Sequence, residues 1–300
     1  MPKPSLMWYV AYYPARIIDH LYPRLPNWRP LDSLISRWLF YRAHGRFPNL
    51  AHPTAFNELL LRSKLSDTQD VLRSFITDKV YVKDFIASRI GREYVVPTLA
   101  VFAGVPAYEE VVGFDTAVIK PTHLSGEIFF AERMDRATYE AFLLRAKSWL
   151  TNNHARVTRE RNYRNLQPRI MVEPKLAGEA GASAPNDYKI FCFRGRPRLI
   201  QVDVSRSVRH QRVMLDLGFR PLPTELAHPK AEVMPREPVR LGEMLSLSSA
   251  LSREFEFLRV DWYALEDGRL YVGELTSFPG NCGEHFTNGY DEVVGGWWLE

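Results

Sequence analysis

The chain has 300 residues, 46% of them hydrophobic, two cysteines and a formal net charge of +4. That length supports a sizeable core and two domains or one multi-lobed unit, while two cysteines exclude a disulfide framework and sit in no zinc-like spacing. No stretch approaches the roughly 18 uninterrupted apolar residues of a spanning helix, and the first residues carry no long apolar run or small-residue cleavage site, so a soluble cytoplasmic protein is expected.

Residues 1–50 are rich in Pro, Trp, Tyr and Arg, and Leu31, Leu34, Ile35, Trp38 and Leu39 fall on one helical face. This predicts a helical arm packed on the body by that face. The admixture of Arg16, Arg24, Arg29, Arg37 and Arg42 also fits a helix lying on a membrane surface. Next, Val82, Phe85, Ile86 and Ile90 line a helix that Gly91 stops, and residues 93–97 read as a strand. Strands are expected near 117–120, 127–131 and 169–173, with a helix near 136–151. Together they make a small α+β lobe.

The polar stretch 177–186 is a candidate hinge or mobile loop. A strand-rich region follows, with strands at Asp187–Phe193 and Arg196–Val204 joined across Arg194 and Gly195, and a third at 212–216. The densest basic cluster, Arg206, Arg209, His210 and Arg212, is short and lacks interleaved aromatics. It suits a small anion or a loop and gives no reason to expect a nucleic acid partner. A helix near 239–254 then carries Leu241, Met244, Leu245 and Leu251 on one side. The expected organisation is an arm at 1–50, an α/β subdomain at 51–115, a small lobe at 116–185 and a large lobe at 186–300.

In FLRVDWYALEDGRLYVGELTSF two alternating runs flank Asp267 and Gly268, the pair best suited to a two-residue type I′ turn. Counting outward from Glu266 and Arg269 sets Tyr263 opposite Val272, Asp261 opposite Glu274 and Arg259 opposite Thr276 on one face. Leu258, Val260, Trp262 and Leu275 fall on the other. Two facing carboxylates repel by ~0.2 to 1 kcal/mol when solvated, and more when partly buried. Hard oxygen ligands without His or Cys suit magnesium bridging nucleotide phosphates. A surface network neutralised by Arg259 accounts for the same residues, and the hairpin alone does not separate the two.

These segments resemble the ATP-grasp family, in its TupA-like (teichuronopeptide biosynthesis) branch. The resemblance runs from PNLAHPTAFNE through TDKVYVKDFIASRIGREYVVP, VIKPTHLSG, NLQPRIMVEPKL and NDYKIFCFRGRPRLIQVD to RVD and GELTSFPG of the hairpin. It implies an α+β ATP-grasp fold whose two lobes hold ATP between them. Lys79 and Lys120 correspond to nucleotide lysines. The loop holding His123, Ser125 and Gly126 stands where the family has a more glycine-rich phosphate loop. Glu173, Pro174, Lys175 and Leu176 resemble the adenine hinge, read through the Pro174 carbonyl and the Leu176 amide. Asp187 and Lys189 resemble ribose and phosphate contacts, and Asp203, Arg206, Arg209 and Arg212 are candidates for an acidic acceptor or the γ-phosphate. Asp261 and Glu274 match the metal carboxylates, with Thr276 where many relatives have asparagine and Asn281 as a substitute ligand.

The reaction implied is attack of a carboxylate on ATP, giving an acylphosphate that an amine opens, with Mg²⁺, Arg259 and Lys189 stabilising phosphoryl charge. The family context implies a small-molecule or glycan-linked acceptor in surface polysaccharide assembly, with peripheral association to a membrane-bound complex. Phosphoryl transfer to a sugar hydroxyl, and nucleotide binding without turnover, use the same apparatus.

Overall fold

The computed structural model describes residues 18–19, 21–66, 70–178, 185–204 and 210–300. Helix α1 (Arg29–His44) starts with Pro30 in its first turn and ends at Gly45, whose φ of 69° provides the left-handed cap. It buries Asp32, Ile35, Ser36 and Phe40, while Leu34 is 65% exposed. The expected apolar face is therefore rotated. Asp32 is drawn inward because its Oδ1 accepts from Arg159 Nη1 at 3.2 Å and its Oδ2 from Arg164 Nη2 at 2.6 Å, and at 100° per residue this turns Leu34 to solvent.

Helices α2 (Phe56–Leu65), α3 (Asp70–Thr77) and α4 (Tyr81–Ile90) follow, with α4 burying Val82, Phe85 and Ile86. Residues 92–94 form a 3-10 turn in place of the expected strand, and only Val95 bridges, to Val272. Next come β1 (Ala100–Phe102), α5 (Tyr108–Val111), β2 (Ala117–Pro121), β3 (Phe129–Ala131), α6 (Arg136–Thr151), α7 (His154–Thr158) and β4 (Ile170–Pro174). Asp135 caps α6 by accepting from Thr138 N at 2.8 Å. The four strands form an antiparallel sheet in the order β1-β4-β2-β3. Ala117, Ile119, Ile170 and Val172 face Phe142, Ala146 and Trp149 of α6. Period-two alternation then points Lys120 and Glu173 to the opposite face.

The second sheet holds β5 (Asp187–Phe193), β6 (Arg196–Val204), β7 (Gln211–Leu215), β8 (Phe257–Ala264) and β9 (Leu270–Thr276), all antiparallel, in the order β7-β6-β5-β8-β9. Helices α8 (Leu241–Ser252) and α9 (Tyr290–Leu299) complete the fold. Both faces of this sheet are covered. On one, Tyr188, Ile190, Val202, Leu258, Val260, Trp262 and Leu275 pack with α4 and α8. The other changes character along each strand: Phe191, Phe193, Leu199, Met214 and Phe257 pack against α2 and α9, then Asp187, Lys189, Gln201, Asp203, Arg212, Arg259 and Asp261 continue the same rows as a buried polar half.

The hairpin of β8 and β9 departs from the expected ladder twice. Leu265 N donates to Arg269 O at 2.9 Å and Gly268 N to Leu265 O at 3.0 Å, so the loop is Glu266, Asp267 and Gly268, with Gly268 at φ +84° as a three-residue turn requires. This shifts the outer pairs to Tyr263↔Tyr271 and Trp262↔Val272. A bulge then leaves Gly273 as an extra residue in β9, and the inner pairs Asp261↔Glu274 and Arg259↔Thr276 are as expected.

Candidate functional site

Register places the candidate residues in adjacent rows. Lys189 on β5 lies opposite Asp261 on β8, which lies opposite Glu274 on β9; one pleat on, Asp187 lies opposite Asp203 on β6. Lys189 Nζ donates to Asp187 Oδ2 and, at 3.1 Å, to Asp261 Oδ2, and lies 3.8 Å from Asp203 Oδ2. Arg259 forks onto the same carboxylate, Nε to Asp261 Oδ1 and Nη2 to Oδ2, each at 2.7 Å. Nη2 also reaches Thr276 Oγ1 at 3.2 Å. Burial works against the charged form of Asp261, but Arg259 and then Lys189 hold its carboxyl below the usual range. Buried charge survives here because each group has partners.

Asp203 is spent internally. Its Oδ1 accepts from Arg212 Nε at 2.6 Å and from Gln201 Nε2 at 3.1 Å. These partners outweigh burial and hold the carboxyl well below the ordinary range. Arg212 Nη1 continues to Glu284 Oε2 at 3.2 Å. Arg206 and Arg209 lie outside the described residues, as does most of the stretch expected to form a hinge, 177–186.

From the four-stranded sheet, Lys120 Nζ lies 2.6 Å from Glu173 Oε2, and Lys83 Nζ from α4 lies 2.6 Å from Glu173 Oε1. Burial opposes the Glu173 charge, yet the two lysines hold its carboxyl below the ordinary range. Lys79 Nζ donates to Leu124 O at 2.5 Å and its backbone N to Thr122 O at 3.2 Å, tying the 122–127 loop to the α3–α4 junction. Burial pulls the Lys79 ammonium below its usual value, with Glu274 the main opposing attraction. Lys79, Lys83, Lys120, Glu173, Gly273 and Glu274 share the walls of one cavity between the two sheets.

His123 does not face that space. It is 4% exposed, and Nε2 meets Trp149 O at 3.0 Å. Ser125 and Gly126 are exposed. Pro174 ends β4; Lys175 N donates to Thr116 O at 3.0 Å, and its ammonium pairs with Glu132. Asn281 is not open as a metal ligand, since its Oδ1 accepts from the buried Lys64 Nζ at 2.5 Å, which also donates to Thr158 O at 2.7 Å.

The donor set fits a hard cation. Asp261 Oδ1 accepts one hydrogen bond and so keeps acceptor capacity. Glu274 is half-buried and makes no hydrogen bond or ion pair among the described residues. Among those residues no group of three or more His, Cys, Asp or Glu is arranged to hold a metal; Asp261 and Glu274 are the two carboxylates that register brings face to face.

Residues without a sequence signal complete the surroundings. Burial, with repulsion from Glu274 and against attraction by Lys64, pushes Glu160 up to about 7. Burial and then Glu160 raise the Tyr163 phenol well above its usual value. Both stand around a 3-10 turn at Arg161–Tyr163, where no periodicity marks them. Lys83 was legible in principle, one position from the buried Val82 on α4.

A family model described as TupA-like ATPgrasp matches residues 58–298. No curated protein matches the chain. Similar solved structures include D-alanine–D-alanine ligase from Bacillus anthracis complexed with ATP, at 15% identity over 69% of this chain and 56% of that one, TM-score 0.41. An L-amino acid ligase from Bacillus licheniformis is 12% identical over 83% of this chain and 55% of that one, TM-score 0.44. The ATP-grasp ligase PsnB complexed with minimal precursor, Mg and ADP is 13% identical over 81% of this chain and 66% of that one, TM-score 0.40. The chain thus spans between about half and two thirds of the length of these structures.

Proposed function

Because the chain belongs to the TupA-like ATP-grasp family, whose model spans residues 58–298, we propose that it is an ATP- and Mg²⁺-dependent carboxylate–amine ligase. The observation that carries this reading is Glu274, a carboxylate opposite Asp261 on the wall of a cavity shared with Lys79 and Lys120. Lys79 and Lys120 bind phosphates, and the Pro174 carbonyl and Leu176 amide read adenine at the end of β4, with Glu173 and Lys175 framing that segment. Asp187 and Lys189 serve ribose and phosphate, and Ser125 and Gly126 cover the phosphates. Asp261 and Glu274 hold Mg²⁺, which when bound neutralises phosphate charge.

The acceptor carboxylate attacks the γ-phosphorus, the bond to the bridging oxygen of ADP breaks, and an acylphosphate forms. Arg259 and Lys189 meet the phosphoryl charge, and the covered cleft keeps water from the intermediate. An amine then displaces phosphate to give an amide. Asp203 anchors Arg212, and binding of the acceptor's acid group is assigned to these two together with Arg206 and Arg209. The acceptor is a carbohydrate-linked acid or an amino acid, used in surface polysaccharide assembly in the cytoplasm beside a membrane-bound complex.

The test is a panel of uronic acids and amino acids offered to the purified full chain with MgATP. Release of ADP and phosphate that needs both a carboxylate and an amine supports the ligase. ADP with a phosphorylated acceptor and no free phosphate assigns hydroxyl phosphorylation instead, and no acceptor-dependent ATP use refutes both.

A further inference from the structure

Helix α1 carries an outward stripe whose composition is unlike an ordinary solvated face. Pro30, Leu34, Arg37 and Tyr41 recur at spacings of four, three and four, which aligns them on one side of a helix. Leu34 and Phe47 are each 65% exposed and Tyr41 is 37% exposed. The rings of Trp38 and Tyr41 stack at 5.7 Å, and those of Tyr41 and Phe47 at 4.8 Å, so the aromatics form one continuous patch. The Arg42 guanidinium lies 5.9 Å from the Trp38 ring centroid, and Arg37 Nε reaches back to Ser33 Oγ at 3.4 Å. Single exposed apolar side chains are ordinary, but a contiguous set marks an interaction surface.

Charge selects the partner. Residues 18–47 contain five arginines against two aspartates, and one of those, Asp32, is buried. Asp19, the other, pairs with Arg42 at 2.6 Å, and Arg46 pairs with Glu58 of α2, while Arg37 stands in the outward stripe itself. The patch lies along a helix roughly 24 Å long. Apolar and aromatic side chains flanked by arginine are the composition of a helix that lies in the headgroup region of an anionic bilayer, where guanidinium groups reach the phosphates. No helix among the described residues is long and apolar enough to cross a membrane, so such contact is with the surface.

We propose that the outward face of α1, with Leu34, Arg37, Trp38, Tyr41 and Phe47, docks the protein on an anionic lipid surface. This is independent of the reaction assigned above. The test is sedimentation of the full chain with vesicles of phosphatidylcholine alone or mixed with phosphatidylglycerol, at low and high salt. The wild type pellets with the mixed vesicles at low salt and is released by high salt. Leu34→Glu and Phe47→Glu each lower binding at least about tenfold, the loss expected for withholding one large apolar side chain. Arg37→Glu lowers it about fivefold or more. Leu144→Glu, at a 73% exposed position on α6, leaves it unchanged. All four sites are exposed, so the variants fold, as unchanged melting curves verify. Absence of wild-type pelleting, equal pelleting with neutral vesicles, or undiminished pelleting of both Leu34→Glu and Phe47→Glu would overturn the proposal.

Discussion

Asp261 and Glu274 face each other across β8 and β9 but are held differently: Asp261 is engaged by Arg259 and Lys189, whereas Glu274 makes no hydrogen bond or ion pair among the described residues. Both are assigned to Mg²⁺ and so to activity, but the two differ in what they add to stability. Asp261→Asn weakens a buried charge network and costs about 3 to 5 kcal/mol, because Arg259 and Lys189 lose their shared counter-charge. Glu274→Gln stays within about 0.5 kcal/mol of wild type in denaturant unfolding yet loses acceptor-dependent ADP release. Equal stability losses for both would contradict this division.

The Glu160 carboxyl gives a pH prediction. Its value rises from 4.5 to about 7 in the folded protein, through burial first. The folded state thus holds this proton more tightly than the unfolded chain. The destabilising contribution is absent below 4.5, grows as the pH rises and is complete above about 7. Glu160→Gln should exceed wild type in stability by up to about 3 kcal/mol at alkaline pH. Below the unfolded carboxylate range the two should coincide. Urea unfolding at both ends of the range measures this, and an advantage of the variant that grows as pH falls would reverse the sign.

Lys64 holds the segment after β9 from the side of α2. Lys64→Met leaves Asn281 Oδ1 and Thr158 O without this donor and should cost about 1 to 3 kcal/mol. Because Asn281 and Cys282 both have left-handed backbone angles, φ 53° and 64°, the loop depends on such contacts. Unfolding midpoints, together with kcat measured well below them, test this; an unchanged midpoint argues against it.

Gly295 tests the packing of α9. A Cβ there would come 1.9 Å from Thr54 O, a backbone atom that cannot swing away. Gly295→Ala should destabilise by about 1 to 3 kcal/mol despite the higher helix propensity of alanine. Gly296→Ala, with nothing within 4 Å of its Cβ, should be neutral or stabilising.

Much of this site is legible in sequence because alternation and strand order are local signals. The facing of Asp261 and Glu274 is the instructive case, since two errors cancel: the loop has three residues where Asp267 and Gly268 predicted two, and Gly273 restores the count. A bulge leaves no local mark beyond the glycine itself. Helix α1 departs from its apolar periodicity for a different reason. Apolar periodicity cannot register that Asp32 is buried by Arg159 and Arg164, more than a hundred residues away. Glu160 and Lys64 likewise gain neighbours from remote elements, Glu274 and Asn281 among them, and Tyr163 is placed beside Glu274, so no spacing rule could single them out.

Carboxyl-oxygen labelling tests the central claim most directly. A uronic acid carrying ¹⁸O in its carboxyl group is incubated with MgATP, an amino acid and the full chain, and the released phosphate is examined by mass spectrometry. An acylphosphate route moves one labelled oxygen from the carboxyl group to phosphate, in step with ADP and amide formation and absent in Glu274→Gln. Unlabelled phosphate, or ADP formed with a phosphorylated hydroxyl and no free phosphate, would contradict it.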